Sequence, residues 1–281
     1  MSDAAITAQG TEPAAHDHHE HEHIHLPEPS LWPFLAAISA GMVPTGILLV
    51  VNHQAIGGAF LGMGFVFVVI TALGWCTSVI REKPTLDSAW ANRTLSSAWK
   101  LFLLSEAAIF GSFFGHYFYT LYSWKAGAPW PPVGTPEISL IIPAIGTGLL
   151  VTSSVTCEIA HKFLLIGRRA ACKNMMILTM FLGMIFLILQ GYEWGELGGQ
   201  QFLPSTSIVG TLFYLITGFH GFHVLTGMLF LFLVYVRLEF GSFDRSRHFS
   251  MNAASWYWHF VDVIWILVFL TLYVGLQRGA H

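Results

Sequence analysis

Trp256-Tyr257-Trp258-His259-Phe260-Val261-Asp262-Val263-Ile264-Trp265 lies within an apolar stretch over 254–276 and decides the fold class. About 18 or more apolar residues in a row read as a membrane-spanning helix, because a hydrocarbon core about 30 Å thick takes roughly 20 helical residues to cross. Six further stretches of this kind lie upstream, near 31–51, 55–80, 99–123, 137–161, 174–193 and 206–236. Charges and helix breakers separate them: Asn52-His53, Arg81-Glu82-Lys83-Pro84, Pro129 to Pro132, Arg168-Arg169, Gly198-Gly199 with Pro204, and Arg245 to Arg247. The sequence therefore predicts an all-α membrane protein with seven transmembrane helices.

Composition agrees. Charged residues make up 10% of the chain and hydrophobic residues 54%, whereas a soluble domain carries about 25% charged residues. The spans consume most of the 281 residues, which excludes a sizeable extramembrane domain, and no basic patch invites nucleic acid. Cys76, Cys157 and Cys172 are far apart and show no metal-ligand spacing. The N-terminus lacks a basic segment leading into a short apolar one, so it does not read as a cleaved signal peptide.

The basic residues orient the spans. With the N-terminus inside, Arg81, Lys83, Arg93, Lys100, Lys162, Arg168, Arg169, Lys173, Arg237, Arg245 and Arg247 all fall on the inner side. Only Lys125 and Arg278 fall outside. The expected topology is N-in, C-out. Residues 1–30 then form a disordered, acidic cytoplasmic tail with six acids and neither Lys nor Arg, ahead of a membrane domain over 31–281. Within that tail His16, His18, His19, His21, His23 and His25 are a composition that binds Zn, Cu or Ni. A solvated tail with incidental metal affinity is the favoured reading.

Polar groups inside the spans are costly and need a reason. Glu106 lies six residues past Lys100, about 9 Å into the third span at 1.5 Å per residue. There it can hydrogen-bond a neighbouring helix or exchange protons with the inner side. His220 and His223 are three residues apart on the sixth span, and His259 and Asp262 repeat that spacing on the seventh. Metal ligation wants three or four convergent ligands. The favoured alternative is an interhelical network locking the last two helices, with Gly218, Gly221 and Gly227 permitting close approach. Glu158-Ile159-Ala160-His161 matches half of a di-iron signature, but the second Glu-x-x-His is missing. Trp75, Arg81, Glu82 and Arg237 sit at span ends, where they act as interfacial anchors or grip a lipid phosphate.

Particular strings carry a resemblance. Trp256 to Trp265 closely resembles the last helix of subunit III of the haem–copper cytochrome c oxidases, and Thr217-Gly218-Phe219-His220-Gly221-Phe222-His223-Val224 resembles its sixth. Leu104-Ser105-Glu106 with Phe110 and Phe113-Phe114 is similar to the third helix, Trp130-Pro131-Pro132 to the following loop, and Val79-Ile80-Arg81-Glu82 to the end of the second. His161 and Glu193 fall in register as further members of the interhelical polar network. The match runs from Leu31 to Gln277.

The resemblance implies that helices 1–2 are separated from helices 3–7 by a lipid-filled, V-shaped cleft. It makes Glu106 a buried, proton-active carboxylate and Trp75, Arg81, Glu82 and Arg237 phospholipid ligands; Cys76 departs from the Trp pair often found in the family. It further implies a subunit with no catalytic residue, metal or cofactor of its own. Haem a, haem a3 and copper reside in partner subunits. The expected partners are subunit I as the main contact, subunit II, a small subunit IV and structural phospholipid, in a bacterial inner (cytoplasmic) membrane. The expected role is support of D-pathway proton uptake and protection against turnover inactivation in an enzyme that reduces O2 to water. A quinol oxidase subunit is the near alternative, but five spans are common there, so the two extra N-terminal spans favour the cytochrome c type. A transporter would show internal repeats or helices broken at the midplane. Pro44 and Pro143 are placed to kink spans 1 and 4, yet no repeat relates the halves. A stand-alone metalloenzyme lacks ligands.

Overall fold

The computed structural model describes residues 30–81, 89–124, 130–132, 135–239 and 249–278. Among them seven helices are long and apolar enough to cross a membrane: α1 (Trp32–Val51), α2 (Gly57–Arg81), α3 (Ala89–Ser123), α4 (Ile141–Leu165), α5 (Arg169–Gly199), α6 (Ile208–Glu239) and α7 (Phe249–Val268). A π-helical segment, Phe269–Val274, and a last turn, α8 (Gly275–Arg278), prolong the seventh. The chain divides into two compact units, Met1–Thr85 and Leu86–His281. The His-rich tail and Glu82 lie outside the described residues.

In the first unit α1 packs on α2 across a short turn in which His53 takes the left-handed conformation (φ 56°). Its N–H closes on Val50 O at 3.0 Å, and that of Gln54 on Leu49 O at 2.9 Å. Pro44 lies inside α1, and Pro33 opens it where a helix has no N–H to lose. Pro143 differs from the expected kink. It is the third residue of α4, in the first turn, where no backbone hydrogen bond is sacrificed. Hydroxyls along the spans bond the carbonyl one turn back, as Thr45 does to Gly41 (2.8 Å) and Thr217 to Phe213 (2.7 Å). A donor that satisfies itself this way costs little in hydrocarbon.

In the second unit the core gathers round two indoles of α7, Trp258 and Trp265, both fully buried. Trp258 fits a slot with glycine walls. A Cβ on Gly183 of α5 would lie 2.7 Å from its ring, and one on Gly227 of α6 would lie 2.9 Å away. Trp258 Nε1 donates to Ser153 Oγ of α4 at 3.0 Å, and Trp265 Nε1 donates to Thr147 Oγ1, also of α4, at 3.0 Å. One α7 side chain thus touches α4, α5 and α6, a burial that apolar packing and small facing residues make possible in lipid. The outward faces stay apolar, with Leu225, Leu229, Phe232 and Val263 exposed.

Three helices outrun the hydropathic stretches. α3 begins at Ala89, about a turn and a half before the Arg93 to Lys100 segment ends the polar stretch, and its Trp99 Nε1 donates to Ala253 O of α7 at 3.0 Å. α5 continues past Glu193 to Gly199. At the end of α7 the helix widens into the π-helical turn, which buries Leu272 and Tyr273. Tyr117 of α3 donates to Thr271 O there at 2.9 Å.

The glycine slot makes a direct prediction. Trp258→Ala should cost about 3–5 kcal/mol, read as a lowered Tm of the purified protein. Trp258→Phe keeps most of the packing and loses the Ser153 bond, so its cost should be about 1 kcal/mol. Equal costs for the two variants would contradict the slot.

Candidate functional site

α3 and α6 bring Glu106 to His223. His223 Nδ1 lies 2.8 Å from Phe219 O of its own helix, and Nε2 lies 3.0 Å from Glu106 Oε2. A carbonyl oxygen only accepts, so Nδ1 carries hydrogen and donates. Nε2 then either accepts from a protonated Glu106 or donates, as imidazolium, to a carboxylate. The contact holds one proton in either case, and the pair has no net charge. Removing that proton would set two lone pairs against each other across 3.0 Å.

The surroundings make that proton costly to lose. The His223 side chain is 5% exposed and that of Glu106 17%. Phe110 and Phe219 stand against the imidazole with centroids at 5.1 and 4.7 Å, and the Tyr257 ring lies parallel to it at 6.2 Å. A charge confined among such groups interacts strongly with its partner, because the local dielectric is low. The site is a carboxyl–imidazole pair in an aromatic box, open on the Glu106 side.

The other polar residues singled out from the sequence go to separate places. His220 Nε2 donates to Val261 O of α7 at 3.2 Å, and its ring packs on Trp265 and Phe186. His259 Nδ1 meets Ser154 Oγ of α4 at 2.5 Å. Asp262 is buried, with no hydrogen-bond partner at either oxygen. Glu193 accepts from Tyr273 Oη at 2.6 Å and from Gln190 Nε2 at 2.9 Å. His161 lies one turn beyond Cys157 on α4. These groups do not form one lock between the last two helices, since only His220 bridges α6 to α7. Residues three apart on a helix lie about 60° apart in projection, wide enough for His220 and His223 to meet different neighbours.

Glu158 pairs with Lys162 at 3.5 Å, and its other oxygen lies 3.9 Å from His259 Nε2. Among the described residues no three His, Cys, Asp or Glu are grouped to hold a metal ion. Trp75 is exposed on α2, and Arg81 is the last residue of that helix. Arg237, near the end of α6, donates to Ser250 Oγ of α7. Sequence reasoning missed the partners Tyr273, Gln190 and Ser154. Tyr273 carries no local signal, since its direction depends on the π-helical turn. Ser154 was accessible as the residue one turn before Glu158.

Comparisons with known proteins bear on this arrangement. A sequence model described as cytochrome c oxidase subunit III matches residues 21–276. Cytochrome c oxidase subunit 3 of the starfish Pisaster ochraceus is 36% identical over 253 residues, covering 88% of this chain and 95% of the relative. The subunit 3 of Branchiostoma lanceolatum is 34% identical over 254 residues, covering 88% and 95%. That of Papio hamadryas is 34% identical over 260 residues, covering 91% and 98%. Seven apolar helices, the buried Glu106 on α3 and the histidines of α6 and α7 are thus found in a chain that belongs to the cytochrome c oxidase subunit III family.

Proposed function

We propose that this chain is the accessory subunit of a proton-pumping terminal oxidase and that its Glu106–His223 pair holds and passes protons for the complex. The 3.0 Å contact, with Nδ1 already committed to Phe219, carries the reading. A pair that keeps one proton in an apolar box, with the carboxyl side open, can take a proton from its surroundings and return it without creating net charge in the membrane. That chemistry suits support of proton uptake by the D-pathway of subunit I.

The redox work then belongs to partner subunits, which supply haem a, haem a3 and copper; this chain contributes no catalytic residue. Its main contact is subunit I, with subunit II and a small subunit IV beside it. Cytochrome c is the favoured electron donor over quinol. The seven helices support this choice, as do the names of the relatives. The protein is multi-pass, and its proposed location is the bacterial cytoplasmic membrane. Phospholipid binding and protection against turnover inactivation complete the reading. Exposed Trp75 and the neighbouring Arg81 and Glu82 are proposed headgroup ligands of the first unit, and Arg237 of the second. An Arg held by a serine hydroxyl keeps further N–H donors for a phosphate.

In the assembled oxidase, Glu106→Gln should abolish carbodiimide labelling of this subunit and slow proton uptake, with haem content unchanged. Undiminished labelling, or an unchanged uptake rate, would contradict the role of Glu106. Arg237→Ala should lower the phospholipid retained on purification and shorten the lifetime of the enzyme during turnover. If both stay at native values, Arg237 is not a lipid ligand.

A further inference from the structure

We propose that Asp262, Ser154, His259 and Glu158 form a second proton-exchange site, in which a proton kept on buried Asp262 reaches the surface through the other three. The proposal does not depend on the reading of Glu106, which belongs to the α3–α6 contact rather than to α4 and α7.

Asp262 is 5% exposed, and neither of its oxygens has a hydrogen-bond partner. An ionised carboxylate without donors is among the most expensive groups to bury. The carboxyl therefore keeps its proton. The Ser154 hydroxyl faces it from α4, and that same hydroxyl meets His259 Nδ1 at 2.5 Å. On the far side of the imidazole, Nε2 points to Glu158 Oε2 at 3.9 Å, a gap that a side-chain rotation or one water closes. Glu158 is 45% exposed, so the path ends at the surface.

The spacing explains the alignment. Ser154 and Glu158 are four apart on α4, and His259 and Asp262 three apart on α7, so each pair shares a helix face. The step balances. Asp262 gives its proton to Ser154 Oγ as Ser154 gives its own to His259 Nδ1. His259 then releases the Nε2 proton to the Glu158 carboxylate, and the reverse sequence restores Asp262. Serine and histidine suit such a relay because each can donate and accept at once. The other titratable groups facing the cluster are Cys157 of α4, whose thiol bonds Ser255, Cys172 of α5 beside it, and Lys162, paired to Glu158. No three of the acids, cysteines and histidines are grouped to take a metal ion among the described residues, so the proton is the ligand that the cluster fits.

The test is infrared spectroscopy of the purified oxidase on transfer from H2O to D2O. A protonated-carboxyl band present in the native complex should be missing in Asp262→Asn. Its shift on deuteration should slow by about tenfold or more in His259→Gln and in Ser154→Ala, and remain at the native rate in Glu106→Gln. Where Asp262→Asn does not assemble, Asp262→Glu keeps the acid and should move the band rather than remove it. A spectrum indifferent to Asp262, or exchange as fast in both relay variants as in the native complex, would overturn the proposal.

Discussion

The second unit depends on one packing constraint, the insertion of the Trp258 indole between Gly183 and Gly227 with its N–H on Ser153. In lipid there is little hydrophobic drive for helices to associate, so close approach and directed hydrogen bonds must hold them. Trp258 supplies both. It brings α4, α5 and α6 to one side chain of α7 and sets the rotation of that helix. With the rotation set, His259 faces Ser154, Val261 turns its carbonyl to His220, and Asp262 is carried into the interior. The polar chemistry of α7 follows from where its tryptophan fits.

Three buried carboxyls illustrate three ways of meeting the cost of a polar group in a membrane. Glu193 accepts from Tyr273 and Gln190, and this well-satisfied group ties α5 to the π-helical turn. Glu106 shares its proton with an imidazole that already has a fixed donor site. Asp262 has no hydrogen-bond partner and is left with its own proton. The degree of satisfaction orders them from structural to exchangeable. A carboxyl fully bonded by neutral donors has little reason to change state, whereas one that depends on a proton for its neutrality is coupled to whatever supplies that proton.

The hydropathic stretches made the seven helices legible, because each needs about 20 apolar residues and little else. Their ends were less so. Polar segments such as Asn92 to Lys100 read as loop by hydropathy, yet α3 includes them, since helix continues wherever tertiary contacts such as Trp99 to Ala253 hold it. The π-helical turn had no signal in the sequence, for it arises where Tyr117 and Glu193 draw on Thr271 and Tyr273 from two sides. At the site, Glu106 and His223 were both visible as polar residues in apolar spans, but their pairing was not. The spacing His220 to His223 suggested one shared partner helix, whereas the turn between them sends one ring to α7 and the other to α3.

The account rests most on the single proton between Glu106 and His223. Neutron diffraction from deuterium-exchanged crystals of the assembled oxidase would locate it directly. The account predicts one deuteron on Nδ1 directed at Phe219 O and one more on the line between Nε2 and Glu106 Oε2. An Nδ1 without a deuteron, or an empty Nε2–Oε2 line, would contradict it.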